Sequence, residues 1–263
     1  MLTLLPLSIS ELKKHDILLE RDFAIYQGFY PKIYKENINA TRAMKNYYQT
    51  YVEKDVRQLI NLKDSTAFET FMKLLAGRVG QVLNLSSLAN DIGKSSNTIK
   101  EWLSILEASF IIYRLKPYYE NFGKRVIKSP KYYFMDTGLL CYLLGIENSN
   151  QVSRDPLLGN LFENLVVCEA LKEQLNQGQD DNLYFFRDSH GNEVDIIKKA
   201  ARNLIPIEIK AARTFHKNFA KNILKFQKIT KLAQKGIIVF AGDNNFENEH
   251  YALKRYDNVF NEI

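Results

Sequence analysis

Apolar positions along this chain recur at two periods, and the change from one to the other falls near residue 110. Before it, spacings of three and four dominate. RAMKNYYQTYVEKDVRQLINL, from Arg42 to Leu62, puts Tyr48, Val52, Val56 and Leu59 on one helical stripe. A second helix is expected from Ala67 to about Val79. LSSLANDIGKSSNTIKEWLSILEAS then reads as a helix-turn-helix. Ala89 permits close crossing, Gly93 frees the turn, and Ile99, Trp102 and Leu103 share a face. Ser86 and Ser96 are the expected N-caps. Residues 1–45 read as short helices and loops, with a capping box at Ser8-x-x-Glu11 and a turn from Gly28 to Pro31.

After Ser109 the composition becomes strand-like. FIIYRLKPYY and KSPKYYFMD flank the polar ENFGKRVI, as the two strands of a hairpin wing would in a winged helix. Asp136 opens a short helix that ends at Gly145, and polar ENSNQVSRD marks a boundary near residues 147–155. The rest alternates helix and strand. A helix spans Leu157 to about Asn176, followed by the strand LYFFR, a hairpin, the helix HKNFAKNILKFQKIT and a closing strand GIIVFAG. The expected class is mixed α/β, in three parts: 1–45, a helical winged-helix-like domain over 46–150, and an α/β domain over 151–263.

The hairpin carries the densest chemistry. EVDIIKKAARNLIPIEIKA spans Glu193 to Ala211, and side chains two apart on a strand share a face. Glu208 and Lys210 therefore point one way, and Ile205, Ile207 and Ile209 the other, toward a core. A turn centred near Ala201 and Arg202 would set Asp195 opposite Glu208, and Glu193 opposite Lys210. Two carboxylates and an ammonium on one patch suit a hard divalent cation such as Mg²⁺. Such an ion activates water and neutralises phosphate charge, while Lys210 would stabilise developing negative charge. A further acid would come from GNLFENLVVCEALKE, where Glu163 lies beside Val166, Val167 and Ala170, and Glu169 falls on the Leu158–Phe162–Leu165 stripe. The plain alternative is a set of ordinary ion pairs.

Composition narrows the classes. The net charge of +6 over 263 residues permits anionic partners without requiring one. Cys141 and Cys168 are the only cysteines and form no CxxC, which argues against a cysteine-zinc site or a disulfide scaffold. MLTLLPLSISELKKHD lacks the basic start and cleavage site of a signal peptide, and no apolar run approaches a membrane span. A soluble cytoplasmic protein without a membrane partner is expected.

Other motifs are weaker. His190 and Asp188 in the RDSHGNEVD loop rank below Asp195, with His190 read as an exposed loop histidine. Gly93-Lys94-Ser95 is not a Walker A, because Leu88 occupies the position of its first glycine. The second helix of the helix-turn-helix offers Lys100 but also Glu101 and Glu107, sparse for a base reader. The wing is more basic, with Lys124, Arg125 and Lys128 able to track a phosphate backbone or to lie on a solvated face.

TYVEKDVRQL, GQVLNLSSLANDIG, NTIKEWLSILEASFIIYRLKPYYEN, GKRVIKSPKYYFMDTGLL, GNLFENLVVCEALK, YFFRDSHGNEVDII and PIEIKAARTF occur in one order. Together they closely resemble the C-terminal half of a prokaryotic family of predicted AAA-type ATPases. That resemblance implies a winged-helix-like module followed by a restriction-endonuclease-like domain of the PD-(D/E)xK type. The nuclease pattern falls on Glu163, Asp195, Glu208 and Lys210, with Glu163, Asp195 and Glu208 as metal ligands. It implies DNA as substrate, Mg²⁺ as cofactor and an ATPase or other protein as partner. PLSISEL resembles the segment that directly follows the family's P-loop core, so no nucleotide site and no ATPase activity are expected here. A non-catalytic module that contacts DNA or protein for an ATPase is the alternative.

Overall fold

A computed structural model describes residues 4–56, 65–119 and 126–258. The chain divides into two compact units. One comprises Met1–Leu7, Asp16–Arg114 and Tyr132–Cys168, and the other Ser8–His15, Leu115–Lys131 and Glu169–Ile263.

The first unit is mainly helical. Its helices α2 (Arg21–Gln27), α3 (Pro31–Glu36) and α4 (Ala40–Tyr47) follow α1 (Ile9–Lys14), which belongs to the second unit. The Ser8–Glu11 capping box forms at α1, with both reciprocal bonds present. Beyond α4 the chain continues as a π-helical segment to Val56, with Tyr48 and Val52 buried as their stripe requires. The stripe's Val56 side chain and Leu59 lie outside the described residues. Then come α5 (Ser65–Ala76), α6 (Leu85–Ile92) and α7 (Ser96–Ala108). Gly93 caps α6 at φ +71°, a left-handed conformation that glycine adopts without strain.

The N-caps fall one or two residues earlier than expected. Asn84 accepts from Ser87 N and Ser95 accepts from Thr98 N, so Ser86 and Ser96 are the second and first residues of their helices. Either residue of each pair is a competent cap; apolar periodicity alone does not separate them. Trp102 packs edge-on against Phe68 and Phe71, at centroid distances of 5.4 and 5.2 Å. Each ring removed from water contributes about 1.5–3 kcal/mol.

The helix α8 (Thr137–Leu143) starts from Asp136, whose Oδ1 accepts from Leu139 N and whose Oδ2 accepts from Phe29 N. After α9 (Ser149–Val152), α10 (Leu158–Asn176) is buried along most of its length, with polar Asn164, Glu169, Lys172 and Gln174 buried beside Leu161, Phe162, Leu165 and Val166.

The strands are β1 (Ile112–Pro117), β2 (Lys131–Phe134), β3 (Leu183–Arg187), β4 (Glu193–Ala200), β5 (Asn203–Lys210), β6 (Gly236–Phe240), β7 (Phe246–Glu247) and β8 (Tyr251–Arg255). Among the described residues they follow the order β2-β1-β3-β4-β5-β6-β8-β7. The sheet is mixed: β3-β4-β5 is an antiparallel meander, whereas β1–β3, β5–β6 and β6–β8 are parallel pairs. GIIVFAG does not close it, because Tyr251–Arg255 adds a strand beyond β6. Polar NNFENEH before that strand hides it from a periodicity reading.

A short 3₁₀ turn (Lys217–Ala220) leads into α11 (Lys221–Ile229), which fills the β5-to-β6 crossover. Its Ile223 and Phe226 are buried, against Ile238 and Phe240 in one cluster and Leu204, Ile197 and Phe186 in another. A Cβ on Gly236 would stand 2.5 Å from Ile223 Cγ2, so only glycine lets α11 settle this close to β6.

Candidate functional site: a buried carboxylate–lysine cluster

The β4–β5 turn is Ala201–Arg202, closed by the Ala200–Asn203 pair. Ala201 sits at φ +54°, as the tight turn of a right-twisted hairpin demands. The register runs from that turn to Ile196 opposite Ile207. The paired register stops there, and beyond it Asp195 and Glu208 both reach Lys210. Here a side chain replaces the backbone ladder: Ile209 N donates to Asp195 Oδ2 at 2.7 Å.

Lys210 gathers the cluster. Its Nζ lies 2.6 Å from Glu208 Oε2 and 3.4 Å from Asp195 Oδ2. Asn222, the second residue of α11, donates from Nδ2 to Glu208 Oε1 at 3.3 Å. Glu208 is fully buried, while the Lys210 side chain keeps 29% of its surface and Asp195 15%. Asp195 Oδ1 takes no hydrogen bond among the described residues.

Burial pushes the Glu208 carboxyl upward first and the like charge of Asp195 next. Lys210 and Asn222 oppose both, and the result is a pKa of about 8. Burial alone would lower the Lys210 ammonium; attraction to Asp195 and Glu208 outweighs it and holds that group above its ordinary value. Above about pH 8, with both acids ionised, one cation faces two anions; below it Glu208 holds a proton and Asp195 and Lys210 balance.

The alternation along β5 implies an open polar patch on the Glu208 side. Both sides of the strand are in fact covered: Ile207 and Ile209 are buried on one, and Leu204 and Glu208 on the other. An alternating pattern cannot reveal that a helix lies over the polar positions. Glu193 also departs from expectation. It pairs with Arg187 across β3–β4, and its carboxylate takes Lys131 at 2.5 Å and Arg187 at 3.1 Å rather than Lys210. Lys131 is itself buried, 5.4 Å from the Phe185 ring centre.

Pro206 is unusual in an interior strand. Leu204 N donates away from β4, to Leu232 O, and the same side at Pro206 needs no donor because pairing with β6 begins only at Ile207.

Glu163 is part of the first unit. There its Oε1 accepts the Tyr133 hydroxyl at 2.6 Å. Glu169 belongs to the second unit, where it pairs with Lys172 at 2.8 Å and accepts Ile9 N at 2.6 Å. Among the described residues, no three His, Cys, Asp or Glu side chains cluster as a ready metal cage. Asp188 organises its own loop, accepting from His190 N, Asn192 N and Asn192 Nδ2. These bonds outweigh a desolvation penalty and hold its carboxyl below the usual range. His190 is exposed. Lys100 is exposed on α7 in the first unit. Lys128 is exposed in the second unit, next to Ile127, whose N–H donates to Arg187 O. Lys124 and Arg125 lie outside the described residues.

Asn222 is a cluster residue to which the hairpin pattern does not point. A polar residue between Lys221 and the buried Ile223 was a usable signal, but only the fold says which strand faces it.

Two family models match the chain. Residues 20–150 match a domain of unknown function, DUF8612, and residues 158–256 match another, DUF4143. Uncharacterised proteins of Mycobacterium bovis and Mycobacterium tuberculosis are each 29% identical over 212 residues, covering 81% of this chain and 46% of theirs. An uncharacterised protein of Haemophilus influenzae is 24% identical over 199 residues, covering 73% of this chain and 46% of its own. The chain thus spans about half the length of the curated relatives it matches. No solved structure matches it. No helix among the described residues is long and apolar enough to cross a membrane.

Proposed function

We propose that this chain is a nuclease-like accessory module for an AAA-type ATPase, with a Mg²⁺-dependent phosphodiesterase centre for DNA at Asp195, Glu208 and Lys210. One observation carries the reading: the hairpin packs two carboxylates against a single ammonium in a largely dry setting. Buried charges are ordinarily paired or coordinate a metal. An excess acid beside a half-buried lysine suits a cation and a phosphate.

The donor set fits Mg²⁺, which keeps several of its waters and takes one or two carboxylates. Asp195, through its unbonded Oδ1, and Glu208 would hold the ion. Bound there, it would supply an acidified water and charge neutralisation at phosphate. Glu163, which the nuclease resemblance assigns as a further ligand, accepts the Tyr133 hydroxyl within the first unit. Lys210 orients the two acids in the resting state and offers its proton-bearing ammonium to a phosphate oxygen that gains charge. Asn222 fixes the Glu208 carboxyl plane. The ATPase partner rests on the sequence resemblance and on relatives about twice as long.

Cleavage of linear and supercoiled DNA with Mg²⁺ or Mn²⁺ tests the reading. Wild type should cut, and Lys210→Ala should lose about 10²–10³-fold, the range for removing one transition-state donor. Equal activity in both would assign the cutting to another site. No cutting by wild type at high protein excess would favour a non-catalytic DNA- or protein-interaction module. The lack of a three-acid cluster among the described residues speaks for that second reading.

A further inference from the structure

The chain's basic character resides in one segment. Residues 209–242 contain seven lysines and one arginine and no aspartate or glutamate. The whole chain has 36 basic and 30 acidic residues, so outside this segment 28 basic residues face 30 acidic ones. The net charge of +6 therefore comes entirely from a stretch that begins at the carboxylate–lysine cluster and runs over α11.

Structure turns this run into a surface. Lys221, Lys225 and Lys228 are exposed and spaced four and three apart, so they share the outer face of α11, opposite buried Ile223 and Phe226. Arg213 and Lys217 precede this row and Lys231 follows it, all exposed. Lys217, Lys221, Lys228 and Lys231 make no ion pair among the described residues, and Lys225 donates to the neutral Asn192 Oδ1 at 2.7 Å. A merely solvated helix face mixes both signs, because pairs at these spacings stabilise a helix and like charges weaken it. This face keeps the unfavourable pattern. It also adjoins the cluster, since Asn222, next to Lys221, bonds Glu208.

We infer that the outer face of α11 is a seat for the phosphate backbone of nucleic acid, contacted without regard to base sequence. Lysine is a point charge on a flexible stem and suits phosphate oxygens; the row lacks the arginine forks and amides that read base edges. From Lys221 to Lys228 the helix rises roughly 10 Å, matching about three phosphates at 3.4 Å of axial spacing per strand. This seat extends the phosphodiesterase reading by stating how its substrate is held, but it is testable without catalysis.

The test measures binding of a fluorescent 20-base-pair duplex in EDTA across a salt series. The variant is Lys221→Ala/Lys225→Ala/Lys228→Ala, whose exposed sites leave the apolar face intact. A control, Lys32→Ala/Lys35→Ala/Lys45→Ala, removes the same charge from exposed positions of the first unit. The α11 variant should bind at least about tenfold more weakly, with a salt slope shallower by roughly 2–3. The control should bind as wild type does, and a scrambled duplex should bind equally. Unchanged affinity and slope in the α11 variant would overturn the inference. So would equal losses in both variants, or stripe-dependent binding to phosphatidylglycerol vesicles without binding to DNA. Retained stripe-dependent binding with no cleavage in Mg²⁺ would defeat only the catalytic reading.

Discussion

Two of the buried carboxylate–lysine arrangements among the described residues of the second unit are built on different terms. Glu169 and Lys172 pair at 2.8 Å, both almost fully buried, with Ile9 N from the start of α1 donating to the other carboxylate oxygen. Asp195, Glu208 and Lys210 stand two acids to one cation, and part of the cluster reaches solvent. Burial alone therefore does not mark a functional site, because the first pair is the more buried. A carboxyl whose titration is strongly displaced in a half-open cluster does: burial and the neighbouring Asp195 push Glu208 up to about 8.

The sharpest way to break this contrast is to remove each lysine. Lys172→Met should destabilise the protein by about 3–5 kcal/mol in urea unfolding, because Glu169 loses its partner while it stays buried. Lys210→Met should cost clearly less below pH 7, where Glu208 can hold a proton. Equal costs would mean that both clusters are structural.

Neutralising the acids should give effects of opposite sign. Glu169→Gln breaks a matched pair and should destabilise. Glu208→Gln above pH 8 relieves repulsion from Asp195 and should be neutral or stabilising by about 1 kcal/mol. Loss of stability in both variants would remove the distinction.

The smallest effect is a pH dependence. The Glu208 carboxyl has a folded pKa of about 8 against an ordinary value of 4.5. Its contribution to stability is thus fully present below about 4.5 and is lost as pH rises through about 8. A metal ion needs the ionised carboxylate, so binding releases a proton and strengthens over the same interval. Added Mg²⁺ should raise Tm by a few degrees more at pH 8.5 than at pH 6, and Glu208→Gln should abolish that difference. A shift that is independent of pH, or unchanged in the variant, would place the ion elsewhere.

Much of this was legible in one dimension. Apolar spacing located the helices around Gly93, the long helix that became α10, and the β3-β4-β5 meander. Polar Lys198 to Asn203 located the turn, and from the turn alone Asp195 and Glu208 are expected on one patch. These features depend on neighbours in sequence, where the period of the backbone determines which side chains share a face. Glu193, by contrast, went to Lys131 and Arg187, because β4 has partners on both edges and the nearer cations lie on the other side. The outermost strand, Tyr251–Arg255, was likewise invisible, since its identity rests on pairing with β6 rather than on its own pattern.

By itself, the sequence determined that a carboxylate, a glutamate and a lysine would meet across one hairpin, and that all surplus positive charge would follow within 34 residues. Only the tertiary structure decided that Glu208 is dry, that Asn222 meets it, and that the lysines of α11 form an outer row beside it. The reason is physical. Hairpin register is settled by a local turn, but desolvation and charge placement depend on which helix covers which strand, and that choice is made by packing between distant segments.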